Sequence, residues 1–204
     1  NDELGKLVKV TADRLRSAAG SSPLSMAVWK KFATAFQGAG RLSRELDKLP
    51  HPAGQLLRSL QQDGVPITII SEPWSDAKLL EHLHRGPHQS AIDAVDFVRE
   101  EMADFHKKSY WIILPFDLLR HLPGLRLSPL GAVPQRNRRP RLINDLTFND
   151  VNAGTLRQAP PESMQFGRTL ERTLVQVANQ NPKFGPVRAQ KIDLSDGFYR
   201  VPTN

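Results

Sequence analysis

Apolar side chains in the first fifty residues return at three- and four-residue steps: Leu4, Leu7, Val8 and Leu15, then Met26, Val28, Trp29, Phe32 and Phe36. That period places them along one face of a helix, so residues 1–50 are predicted helical. Gly20-Ser21-Ser22-Pro23 breaks the first helix and starts the second, with Pro23 suited to a first turn. The Trp29/Phe32/Phe36 stripe is predicted to be core. Leu49-Pro50-His51-Pro52 reads as a stop. A short helix is expected over residues 55–61, ending at Gly64, and the apolar run 65–70 has the length of a strand.

Ser75 is placed to cap a helix over residues 76–83, with Asp76 and Glu81 in that stretch. Gly86-Pro87 interrupts. A longer amphipathic helix follows, with Ile92, Val95, Phe97, Val98, Met102 and Phe105 as its apolar positions, running to about Lys108. Residues 110–115 form an apolar run of strand length, and Pro123-Gly124 marks a turn. Residues 125–135 and 141–146 then read as two strands around the basic tip Arg136-Asn137-Arg138-Arg139-Pro140. Pro140 lacks an N–H and suits a tip or an edge position. A Gly/Pro-containing loop from Asn152 to Gly167 precedes a helix over residues 168–179. After a turn at residues 181–186, residues 187–194 read as a strand ending in Asp193-Leu194-Ser195-Asp196-Gly197. No repeat of fixed period is present.

Charge changes this picture by its location. The chain of 204 residues carries 28 Lys+Arg against 21 Asp+Glu. Residues 1–119 balance at 15 against 15, whereas residues 120–204 hold 13 against 6. A basic segment joined to a neutral one is the footprint expected for a polyanion partner, and equally that of a plain solvated surface. The lack of cysteine excludes disulfide scaffolds, thiol catalysis and cysteine-ligated zinc, and fits an intracellular, reducing setting. No apolar run approaches the ~20 residues of a membrane span, so no membrane partner is expected. The chain opens on Asn1 and closes on Asn204, which is read as a fragment.

Two stretches could carry chemistry. In Lys191-Ile192-Asp193-Leu194-Ser195-Asp196-Gly197-Phe198-Tyr199 a carboxylate ends a strand, where burial is costly without a partner. A divalent metal is one such partner, making Asp193 a candidate ligand and Asp196 a candidate at the turn. An Asp-Gly turn with Asp193 as a helix cap explains the stretch in isolation more simply. The second stretch holds four arginines in six residues, Arg136, Arg138, Arg139 and Arg141. The guanidinium fork matches phosphate with two parallel hydrogen bonds; a solvated loop is the plain alternative. His82, His84 and His88 lie close together, but Gly86-Pro87 separates them and they read as partly exposed polar residues. Ser90 lacks the glycine-framed elbow of a hydrolase nucleophile.

Taken in order, Leu127 to Asn152 (Leu-Ser-Pro-x-Gly-x-Val-Pro, then Arg-Pro-Arg-Leu-Ile-x-Asp and Val-Asn) and Lys191 to Val201 resemble a retrotransposon-type reverse transcriptase. Arg85-Gly86-Pro87-His88-Gln89-Ser90-Ala91 and Tyr110-Trp111-Ile112-Ile113-Leu114-Pro115 resemble the lead-in of such elements, so the likeness spans roughly residues 72–204. The resemblance implies that Asp193 is the first catalytic palm aspartate and binds Mg²⁺. It implies that Asp196 and Gly197 form the turn at the incoming triphosphate and that Phe198 closes the sugar pocket. Arg141 matches the fingers arginine that grips the nucleotide, and Asp145 the aspartate that follows it. Such roles suit phosphoryl transfer, which is mostly positioning and charge stabilisation. Paired aspartates of a second palm motif do not occur within these residues, so the chain as given is expected not to polymerise.

The fold is therefore expected to be α+β: a helical N-terminal region (1–70) before a partial reverse-transcriptase-like fingers and palm (71–204). The expected function is that of an incomplete RNA-directed DNA polymerase, with an RNA/DNA template-primer and a dNTP as partners of the intact parent. Arg136, Arg138 and Arg139 are expected to touch nucleic acid. The alternative is a non-catalytic nucleic-acid-binding remnant that keeps only the arginine-rich hairpin.

Overall fold

The computed structural model describes residues 2–37, 48, 50, 52, 54–157, 166–181, 183, 185 and 186. Helix α1 (Glu3–Ala19) starts where the Asp2 carboxylate accepts the Gly5 N–H at 2.9 Å, and ends at Gly20, whose φ of 67° suits glycine. Helix α2 (Met26–Gln37) begins three residues after Pro23, outside its expected first turn, because the Ser25 hydroxyl takes the Val28 N–H at 3.3 Å and so caps the helix there. The Trp29, Phe32 and Phe36 rings follow one another at 6.5 Å along α2, but none is fully buried. This corrects the expected core stripe to a half-buried one.

Helix α3 (Gly54–Asp63) matches its expected position, and α4 (Asp76–Arg85) is capped by Ser75, which accepts the Lys78 N–H at 3.2 Å. The long helix expected from Ile92 is two: α5 (Gln89–Asp93) and α6 (Val95–Lys107), separated at Ala94 with φ −111° and ψ 34°. The short α7 (Phe116–Leu119) follows. Strands β1 (Leu130–Gln135) and β2 (Arg138–Asn144) pair antiparallel, and α8 (Phe166–Ala178) completes the order.

Two expected strands are absent as such. Residues 65–70 make isolated bridges and no strand: that of Ile69 with Thr155 is flanked by Ile70 N–H to Gly154 O and Leu156 N–H to Thr68 O, both 2.8 Å. The pairing is too short to propagate a ladder. Residues 110–115 fold back on α6 instead: the Tyr110 and Trp111 N–H groups both reach Phe105 O, and both rings pack against Phe105. Packing the half-buried Tyr110 and Trp111 rings on α6 covers this apolar run in place of strand pairing. The strand expected over 187–194 lies outside the described residues.

The core lies between the hairpin and α5–α6: Ala91, Val98 and Phe105 from the helices meet Ala132 and Leu142 from the strands. Residues 88–90 close the free edge of β1, with His88 N–H on Leu130 O at 2.9 Å and Ala132 N–H on the Ser90 hydroxyl at 3.2 Å. Covering an edge in this way blocks further strand addition. The Ser90 hydroxyl is thus part of the scaffold.

Helix α1 packs on α6 through Thr11, Ala12 and Leu15, all buried, with Asp2–Arg99 and Glu3–Lys107 ion pairs at the rim. Beneath them the buried His106 ring meets the Thr11 hydroxyl at 2.8 Å through Nε2, while the Ile113 N–H points at Nδ1 at 3.4 Å. Phe36 of α2 lies 4.9 Å from the same ring. The described residues therefore form an α+β fold with a helical N-terminus and one two-stranded antiparallel sheet. No helix among them is long and apolar enough to cross a membrane.

Candidate nucleic-acid interface on the hairpin

The turn of the hairpin is shorter than the expected five-residue tip. Only Arg136 and Asn137 turn, with Asn137 at φ 57°, a conformation that asparagine tolerates well. Arg138, Arg139 and Pro140 belong to β2. Val133 pairs with Arg141 and Gln135 with Arg138, so Arg139 and Pro140 together oppose the single residue Pro134. That is a β-bulge, and two prolines that cannot donate to a ladder account for it.

The bulge sorts the arginines. Alternation along an uninterrupted strand would put Arg139 with Arg141 and Arg138 with the buried Leu142. With one residue extra, Arg138 and Arg141 share the outer face, and Arg139 turns inward onto α6. There its guanidinium meets Glu100 at 3.0 Å and Glu101 at 3.3 Å and lies 5.3 Å from the Phe97 ring. Arg139, expected to touch nucleic acid, thus has its charge answered within the chain. Arg136, Arg138 and Arg141 are exposed and make no ion pair among the described residues.

The outer face continues past Arg141 through Ile143 to Asp145, roughly 13 Å along the strand direction. Gly131 lies across from Ile143, and an added Cβ there would come within 3.1 Å of Ile143 and 3.4 Å of the His88 ring. The close packing brings His88 to Asp145: His88 Nε2 donates to Asp145 Oδ2 at 3.1 Å. Asp145 Oδ1 accepts the Thr147 and Phe148 N–H groups at 3.2 and 3.1 Å, and the Asp145 N–H reaches Pro129 O. The His88 hydrogen bond, helped by those two backbone donors, holds the Asp145 carboxyl below its ordinary range. Asp145 is therefore a fixed anion that braces the end of β2, four residues from Arg141, a cation with no ion pair among the described residues.

His88 is half-buried, in keeping with the partly exposed polar residue expected there. Its partner is 57 positions away, and no local pattern announces the pair. Phe148 stands edge-on to His88 with centroids 5.1 Å apart, and Arg85 lies 3.7 Å over the Phe148 ring. His82 stacks near Trp74 at 4.6 Å, so of the three neighbouring histidines two have distinct aromatic or acidic partners.

The structure places Arg138, Arg141 and Asp145 along one face of the hairpin and Arg139 on the other. Asp193, Asp196, Gly197 and Phe198 lie outside the described residues, as does the expected approach of Asp193 to Arg141. The Mg²⁺ ligand expected at Asp193 falls there too, and no group of three or more His, Cys, Asp or Glu among the described residues is arranged to hold a metal ion. What the described face offers is unpaired guanidinium donors on a rigid ladder, with one anchored carboxylate. No protein-family profile, curated protein or solved structure matches the chain.

Proposed function

We propose that residues 72–204 are the fingers and first palm segment of a retroelement RNA-directed DNA polymerase. In this reading Arg141 grips the phosphates of an incoming dNTP, and Arg136 and Arg138 hold adjoining template-primer backbone. The observation that carries it is the bulge, which gathers Arg138 and Arg141 on one open face and leaves both without a carboxylate among the described residues. A guanidinium already held on a strand loses less freedom when it binds phosphate, and it has donors to spare. Asp145 supports the reading by fixing the strand's end through His88. Asp193 would hold Mg²⁺, which supplies charge neutralisation at the transferred phosphate; Asp196, Gly197 and Phe198 would complete the triphosphate turn and sugar pocket.

Titrating the 204-residue chain with a fluorescent dNTP in Mg²⁺ tests it. Binding is expected to weaken about tenfold or more in Arg141→Ala, the low end for a lost hydrogen bond to a charged group. It is expected to lose its Mg²⁺ dependence in Asp193→Ala and to be unchanged in Arg139→Ala. Wild-type affinity in Arg141→Ala overturns the assignment.

The lack of any ion pair to Arg136, Arg138 and Arg141 among the described residues also suits a simpler role, a non-catalytic nucleic-acid binder. Steeply salt-dependent RNA binding that is indifferent to dNTP and Mg²⁺ would select it.

A further inference from the structure

We propose that a second phosphate-binding track runs along one face of α4 and takes the backbone of a single-stranded nucleic acid. The inference extends the polynucleotide-binding part of the reading above to a separate surface.

Lys78, His82 and Arg85 recur at four- and three-residue steps and so share one face of α4, spanning roughly 10 Å. Each lies on an aromatic ring. Lys78 Nζ sits 4.5 Å from the Trp74 centroid, the His82 ring 4.6 Å from the same indole, and Arg85 3.7 Å over Phe148. Arg126 approaches Trp74 as well, at 5.4 Å, and spends its donors on the backbone oxygens of Ser71, Glu72 and Leu125 and on the Ser71 hydroxyl. Those acceptors are neutral, and no carboxylate among the described residues pairs with its charge.

Cation–π contact and ion pairing have different consequences. A carboxylate cancels the charge and occupies the N–H donors, as Glu100 and Glu101 do for Arg139. A ring face steadies the cation and leaves its edge donors open to phosphate. Among the described residues neither Lys78 nor Arg85 makes an ion pair or a side-chain hydrogen bond. Of the acidic residues on α4, Asp76 falls on the far side, while Glu81 flanks the row and pairs with neither cation.

Charge alone also suits an anionic membrane, but the apolar positions of α4 argue against it. Leu79 is buried, and Leu80 and Leu83 lie roughly opposite the cations. A helix lying in a membrane interface needs apolar side chains beside its cations, ready to enter the acyl region. Trp74 is half-buried and Phe148 is 49% exposed, so ring surface is presented between the cations. Cations interleaved with aromatic rings are the combination that holds single-stranded nucleic acid, in which bases are free to stack. The track is continuous with the hairpin: Arg85 meets Phe148, Phe148 meets His88, and His88 meets Asp145 at the end of β2.

Fluorescence anisotropy of a labelled single-stranded RNA on the 204-residue chain, with anionic phosphatidylserine vesicles in parallel, tests the track. Lys78→Ala/Arg85→Ala is expected to weaken RNA binding about tenfold at 0.1 M salt and to flatten the log–log salt slope by about 1.4, for two lost phosphate contacts. Glu81→Gln, which removes only a flanking repulsion, is expected to tighten binding two- to threefold and keeps the test decisive if the double variant unfolds. Loss of RNA affinity in Arg138→Ala/Arg141→Ala alone, with the α4 variants unchanged, overturns the track and leaves the hairpin reading standing. Loss in the α4 variant alone supports the track and removes the hairpin. Unchanged RNA affinity in both refutes both surfaces, and an α4 effect seen only on vesicles overturns the choice of nucleic acid.

Discussion

His106 and His88 mark two regions built on different physics. Around His106, α1 meets α6 in a dry contact: the ring is 5% exposed, its nitrogens face the Thr11 hydroxyl and the 111–113 backbone, and Phe36 lies against it. Burial pushes its pKa below the usual 6.5, with a smaller opposing effect from a Trp111 backbone hydrogen bond. Around His88, the ring is half-buried beside the Asp145 carboxylate and edge-on to Phe148, over which the exposed Arg85 lies. The first arrangement excludes charge and holds the fold together. The second keeps charges in place and leaves several unanswered, as a binding face requires.

The largest break in that contrast is His106→Ala. Removing a buried ring and orphaning Thr11 is expected to cost about 2–4 kcal/mol in urea unfolding, while dNTP and RNA affinity of the folded chain stay as they were. Thr11→Val sharpens the point: it keeps the volume, removes one hydrogen bond, and is expected to cost about 1 kcal/mol. A pH series separates the regions further. Because the folded His106 binds a proton less readily than the unfolded chain, its region is at full stability above pH 6.5 and weakens as pH falls from 6.5 through the lowered folded value. Asp145 is depressed in the same direction, so its contribution is present above pH 3.8 and is lost as pH falls from there through its own lowered value. Thermal unfolding is expected to show the upper window in wild type and to lose it in His106→Ala. The smallest effect belongs to Arg139→Ala: its pair with Glu100 is solvent-exposed, and stability is expected to shift by about 0.5 kcal/mol or less.

Legibility in the sequence divided along the same line. Helix ends were readable wherever one residue fixes them: Ser75 before α4, Gly20 after α1, Gly86 after α4. Apolar runs were not, because residues 65–70 and 110–115 have strand composition but find a loop and a helix as partners. The arginine-rich hairpin was visible from its composition. The division of labour among its arginines was not, since it turns on a register shift that no single residue encodes. His88–Asp145 stayed hidden for the reason that most sites do: contact between distant positions is a property of the packed chain, whereas Asp145 was flagged by the Arg141 motif beside it.

The extra residue in β2 acts as a sorting device for cations. Adding one residue to β1 beside Pro134 would remove the bulge and restore strict in-and-out alternation, turning Arg139 to the solvent side and carrying Arg138 inward, onto the face of Leu142. Glu100 and Glu101 would then face a different guanidinium on a lengthened arm. Which positive charges on this ribbon go unanswered among the described residues is thus set by the length of β1 against β2, and one codon inserted in β1 would retune it without altering a single arginine.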